Sequence, residues 1–160
     1  MEGVLFAIWI IAIIGPLAWA WYHKASIAMG MTLSLLFGYI VQLIWNFFGA
    51  YNLYLHVVMI PALVEDGHIH TLITSGFVHS PGDALHVLSN IIIIALVGIP
   101  LEDRLGRNRW LISYFIGLLG GSIAWTVANS GSYTPALGAS GAAFGILGAY
   151  LCGWPKDEVF

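Results

Sequence analysis

The sequence predicts an all-α polytopic membrane protein, a helical bundle of about five transmembrane helices. Two observations carry that prediction. Of 160 residues, 59% are hydrophobic and only 8% charged, against roughly 25% charged in ordinary soluble domains. Five Lys and Arg with eight Asp and Glu cannot cover a soluble domain with polar surface. The apolar residues also fall in runs close to the roughly 20 residues that cross a hydrocarbon core.

Residues 4–22 form the first run, uncharged throughout. A cleaved signal peptide competes with this reading, but it wants a basic leader and a shorter apolar core, and the only early charge is Glu2. Gly15-Pro16 should kink this helix, a distortion that neighbouring helices tolerate in a membrane. After the polar break Tyr22-His23-Lys24, residues 27–48 form a second run. The pattern then loosens over 49–83, where an apolar stretch at 53–64 is interrupted by Pro61 and flanked by Asn52, Glu65, Asp66 and histidines. That stretch is too short to cross, and a connection lying partly in the interface explains it. Residues 84–101 make a third span with His86, Ser89 and Asn90 at its start, and 110–128 a fourth. The turn-rich segment 129–135 leads to a fifth at 137–154.

Orientation follows from the basic residues, because Lys and Arg accumulate in short cytoplasmic loops. With five spans, Lys24, Arg104, Arg107, Arg109 and Lys156 all fall on one side, which is then cytoplasmic. The expected location is the cell membrane, with 49–83 and 129–136 outside. So few basic residues exclude a nucleic-acid-binding stripe. The single Cys152 excludes an internal disulfide. Histidines 56, 68, 70, 79 and 86 raise a metal or transport path near the outer face. No Cys or carboxylate stands at helical spacing beside them, so the expectation is no metal and no cofactor. A proton path would want an acidic residue inside a span, and the predicted spans hold none.

Polar side chains inside spans need partners or a purpose. His86 and Asn90, at i and i+4, share one helix face at the outer end of the third span. Ser140 starts the fifth span at the same depth, within Gly138-Ala139-Ser140-Gly141. Taken singly each has a bland reading. Gly141 and Gly145 have the small-residue spacing that brings membrane helices together, and a helical serine commonly bonds the carbonyl one turn back. Their conjunction at one depth is the signal. A soluble-hydrolase nucleophile elbow is excluded, since it needs glycine where Ala142 stands and a strand before the serine.

With these residues the chain resembles the rhomboid intramembrane serine proteases. The matching text is Gly138-Ala139-Ser140-Gly141, the His86-x-x-x-Asn90 pair two spans earlier, and Gly98 through Glu102-Asp103-Arg104-Leu105-Gly106, with His79 also fitting. The resemblance implies that Ser140 is the nucleophile, that His86, Asn90 and the Ser140 N–H stabilise the oxyanion, and that Gly138 and Gly141 shape the motif backbone. His79, Glu102 and Arg104 would be structural. The substrates would be transmembrane proteins met in the lipid bilayer, cleaved through an acyl-enzyme without metal or organic cofactor.

The sequence also departs from that pattern. A rhomboid core has six spans and draws its base histidine from the sixth, whereas this sequence stops soon after the serine-bearing helix. The expected division is an extra N-terminal helix over 1–26 and a partial rhomboid-like domain over 27–160, its core truncated on the C-terminal side. The first long loop lacks the Trp-Arg motif of many relatives. A serine without its base is a poor nucleophile, so the 160 residues alone are expected not to turn over substrate. The alternatives are a noncatalytic rhomboid-like protein that captures membrane helices, or a small transporter component. Neither the substrate's identity nor the oligomeric state is legible in the sequence.

Overall fold

In the computed structural model, residues 1–157 are described; the last three positions of the expected terminal loop, 158–160, lie outside them. The helices, in order, are α1 (Glu2–Tyr22), α2 (Ile27–Phe47), α3 (Asn52–Leu55), α4 (Pro61–Glu65), α5 (Thr71–Thr74), α6 (Ala84–Leu96), α7 (Gly98–Leu105), α8 (Arg107–Ala128) and α9 (Ser140–Gly153). Among the described residues the extended backbone contacts reduce to one antiparallel bridge, Met59 with Ala136.

Four helical segments are long and apolar enough to span a membrane: α1, α2, Ala84–Leu105 and α8. The expected fifth span is shorter than the sequence implied. Residues 137–139 are not helical, and α9 has 14 residues, about 21 Å at 1.5 Å each, against a hydrocarbon core of about 30 Å. The reason is local: Ala136 is tied to Met59 by the bridge, and Gly138 takes φ +111°, which a helix cannot contain. The third span also runs past its expected boundary at 101. Its helix breaks at Val97 and restarts as α7, carrying Glu102 and Asp103 in its last turns, so this segment does contain acidic residues.

Small residues set the packing of α1 on α2. α1 continues through Pro16 without interruption. Gly30, Ser34 and Gly38 of α2, spaced by four, face it, and a methyl at Gly30 would stand 2.9 Å from Ala20 Cβ. The Ser34 hydroxyl donates across the interface to Ile13 O at 2.6 Å. Without a hydrophobic drive between helices in lipid, such close backbone approach and polar bonding supply the association. The opposite face of α1 exposes Ile8, Ile11 and Ile14, apolar side chains suited to acyl chains.

One end of the bundle is charged. Glu102 of α7 is buried and serves as a remote cap for α2: it accepts from Ser26 Oγ at 2.6 Å and from the N–H groups of Ile27 and Ala28 at 2.9 Å each. A carboxylate meeting the orphan N–H groups of a helix start is favoured both by hydrogen bonding and by the helix dipole. Arg107 lies 3.8 Å from the same carboxylate and donates to Ala25 O. Arg104 pairs with Asp157 and lies over the rings of Tyr150 and Trp154. Arg104 and the Tyr150 hydroxyl hold the Asp157 carboxyl below its ordinary range.

Candidate active site

The opposite end holds the polar residues singled out in the sequence, and two loops build it. The segment 49–83 is condensed into α3, α4, α5 and a 3-10 turn at Ser75–Phe77. It grips the segment before α9 at three backbone-to-backbone points: the Met59–Ala136 bridge, Ala62 N–H to Ser132 O at 3.1 Å, and Gly138 N–H to Ser75 O at 2.9 Å. From α2, the buried Gln42 side chain donates to Phe77 O at 3.0 Å and accepts from the His79 N–H at 2.9 Å. The turn that delivers Ser140 is therefore tied at its backbone to a loop that α2 holds in place.

Asp83 starts α6 by accepting from the His86 N–H at 3.1 Å, the N-cap bond that Asp favours. That start fixes His86 and Asn90 one turn apart along α6. Ser140 is the first residue of α9, its neighbour Ala139 being the N-cap. His86 Nε2 and Ser140 Oγ stand 3.4 Å apart, both side chains half-buried. Asn90, 3% exposed, points its amide nitrogen at His79 Nε2, 3.0 Å away. His79 is fully buried, and the Ala139 N–H also donates to its Nε2, at 3.3 Å. Burial, and then the neighbouring His86, hold the His79 ring down to a pKa of about 3, so the imidazole is neutral at physiological pH.

Gly138 lies against the His86 ring: a methyl there would come within 2.6 Å of both Cε1 and Nε2. Gly141 meets α8, where a methyl would lie 2.9 Å from Gly117 O, and Gly145 packs on the same residue. These glycines bring α9 onto α8, and they leave Ser140 beside a cavity of about 510 Å³ lined by Met59, Trp125, Leu137 and Gly141 among others. A group of three metal-ligating side chains is absent among the described residues.

Ser140, His86, Asn90, His79, Gly138 and Gly141 thus converge. Glu102 and Arg104, both on α7, are at the other end of the bundle, Glu102 bonded to the start of α2 and Arg104 packed against α9 and its following turn. Sequence reasoning missed Gln42, although a side-chain amide well inside an apolar run is a legible signal. It also missed Gly117 and Gly121, which repeat on α8 the spacing noticed on α9. The part of Ala139 is carried by its backbone alone, which no side chain advertises.

The family model described as Rhomboid domain matches residues 66–158. RHOMBOID-like protein 5 of Arabidopsis thaliana is 39% identical over 89 residues, covering 56% of this chain and 28% of that protein. RHOMBOID-like protein 12, mitochondrial, of the same plant is 36% identical over 99 residues, covering 52% and 29%. Rhomboid-like protease 3 of Toxoplasma gondii is 30% identical over 77 residues, covering 48% and 28%. The chain spans less than a third of the length of these relatives. No solved structure matches.

Proposed function

This chain belongs to the rhomboid family, and on that premise we propose that it forms the serine-bearing part of an intramembrane endopeptidase that cleaves transmembrane proteins through an acyl-enzyme on Ser140. The observation that carries the reading is the 3.4 Å approach of Ser140 Oγ and His86 Nε2 beside a mostly apolar cavity. Two residues 54 positions apart meet where a peptide carbonyl has room to enter.

In this mechanism Ser140 Oγ attacks the scissile carbonyl carbon as its proton passes to a base. The carbonyl oxygen becomes the oxyanion. His86 Nε2–H, the Asn90 amide and the Ser140 backbone N–H are its donors, the last left free because Ser140 opens a helix. Donors aimed at developing charge are worth about 2.7–4 kcal/mol each in acyl transfer. The tetrahedral adduct collapses with loss of the amine, and water then releases the acyl group. His86 is assigned to the oxyanion, and the resemblance puts the base on a later span. The end of the bundle bearing Lys24, Arg104, Arg107, Arg109 and Lys156 is assigned to the cytoplasm by the charge rule, so cleavage falls near the outer end of the substrate helix.

The test is cleavage of a single-span reporter by the full-length gene product in membranes. Cleavage lost in Ser140→Ala supports the reading. Capture of the reporter without cleavage, unchanged by Ser140→Ala, would replace it with a helix-binding protein.

A further inference from the structure

His79 does not reach Ser140, yet it is bonded to both elements that flank it. Its buried Nε2 faces the Asn90 amide nitrogen at 3.0 Å and the Ala139 N–H at 3.3 Å. The second contact decides the chemistry of the first. A backbone N–H is always a donor, so Nε2 must be the bare, accepting nitrogen and the ring proton sits on Nδ1. Asn90 then has one orientation left, its NH2 toward His79 and its carbonyl away. The flipped amide would set two acceptors against each other.

An amide NH2 carries two protons, and His79 takes one. The nitrogen lies 3.6 Å from where a methyl on Gly138 would stand, next to the His86 ring. Its second N–H is thus available at the turn leading into Ser140. At the same time Ala139 gives its N–H to the imidazole and is withdrawn from the set of free donors. We propose that His79 is a positioning residue, its Nε2 an obligate acceptor that makes Asn90 an oxyanion donor and leaves the Ser140 N–H as the backbone donor of the turn. This rests on Ser140 being the nucleophile. The price of the arrangement is visible, since Nδ1 finds no hydrogen-bond partner among the described residues. A histidine present for packing alone would not need to strand a buried N–H.

Two measurements test this on the full-length protein in detergent. Ring-nitrogen NMR of the wild type should show His79 protonated at Nδ1 and bare at Nε2. Fluorophosphonate labelling of Ser140 should slow by about tenfold or more in His79→Phe, since one displaced oxyanion donor is worth about 10²–10³ in rate. His79→Gln, whose carbonyl can accept where Nε2 did, should label at close to the wild-type rate. A protonated Nε2, wild-type labelling in His79→Phe, or His79→Gln as slow as His79→Phe would each overturn the assignment. If His79→Phe does not fold, the wild-type ring spectrum decides. Failure of wild-type Ser140 to label would count against the nucleophile reading instead, with the spectrum still deciding for His79.

Discussion

Gly117 of α8 and Gly145 of α9 touch through their backbones: a methyl on Gly117 would lie 2.7 Å from Gly145 Cα, and one on Gly145 would lie 2.6 Å from Gly117 Cα. No flexible side chain is available to move aside, so the helices themselves must part. Gly117→Ala or Gly145→Ala should destabilise the protein by about 1–3 kcal/mol, the usual range for overpacking. Gly120→Ala and Gly148→Ala, where a methyl meets nothing within 4 Å, should be neutral. Unfolding in mixed detergent micelles measures all four.

Glu102 is expected to matter for stability and not for the chemistry at Ser140, because it caps α2 at the other end of the bundle. Glu102→Ala strands the Ser26 hydroxyl and two N–H groups. It should lower the unfolding free energy by at least about 2 kcal/mol, each unpaired buried donor being worth about 1–3 kcal/mol. Glu102→Gln keeps one carbonyl oxygen and should lose about half as much. Equal losses in the two variants would show that the acceptor role is not what the carboxylate contributes.

His79 predicts a pH dependence of stability. Its folded pKa is about 3 and its unfolded value about 6.5, so between these limits the unfolded chain binds the proton and the folded one does not. Stability is then full above about pH 6.5 and declines as pH falls toward 3, by up to about 1.4 kcal/mol per pH unit. Unfolding measured from pH 8 to pH 5 should show this slope, and His79→Gln should flatten it. The site itself should keep its His79 hydrogen bonds at pH 5.

The spans were legible because hydropathy is a property of runs, and α1, α2 and α8 begin and end within a few residues of the expected limits. The start of α9 was not, because residues 137–139 are apolar or small and differ from a helix only in backbone conformation, set by the Met59 bridge from a distant loop. The spacing of His86 and Asn90 placed both on one helix face. Which way the Asn90 amide points depends on His79 and Ala139, residues 11 and 49 positions away, and on a backbone N–H that sequence cannot display. Periodicity reports the face a residue occupies, while the chemistry of that face is settled by its long-range neighbours.

Gly138 offers the sharpest check on the role of His86. A methyl at position 138 would lie 2.6 Å from the imidazole, so Gly138→Ala must displace the ring away from Ser140. His86→Ala removes the same ring outright, and either change should slow Ser140 acylation by about 10²–10³ while leaving substrate affinity little changed, as expected when an interaction is made only in the transition state. The double variant separates the two explanations for Gly138. If its methyl acts by pushing His86 aside, the hole left by His86→Ala accommodates it, and the double variant should be no slower than His86→Ala alone. The φ of +111° at Gly138 still strains an alanine there, but that cost belongs to folding and should appear in the unfolding transition of both Gly138→Ala variants. Fully additive losses in acylation would mean that the turn at Gly138 positions Ser140 independently of the histidine.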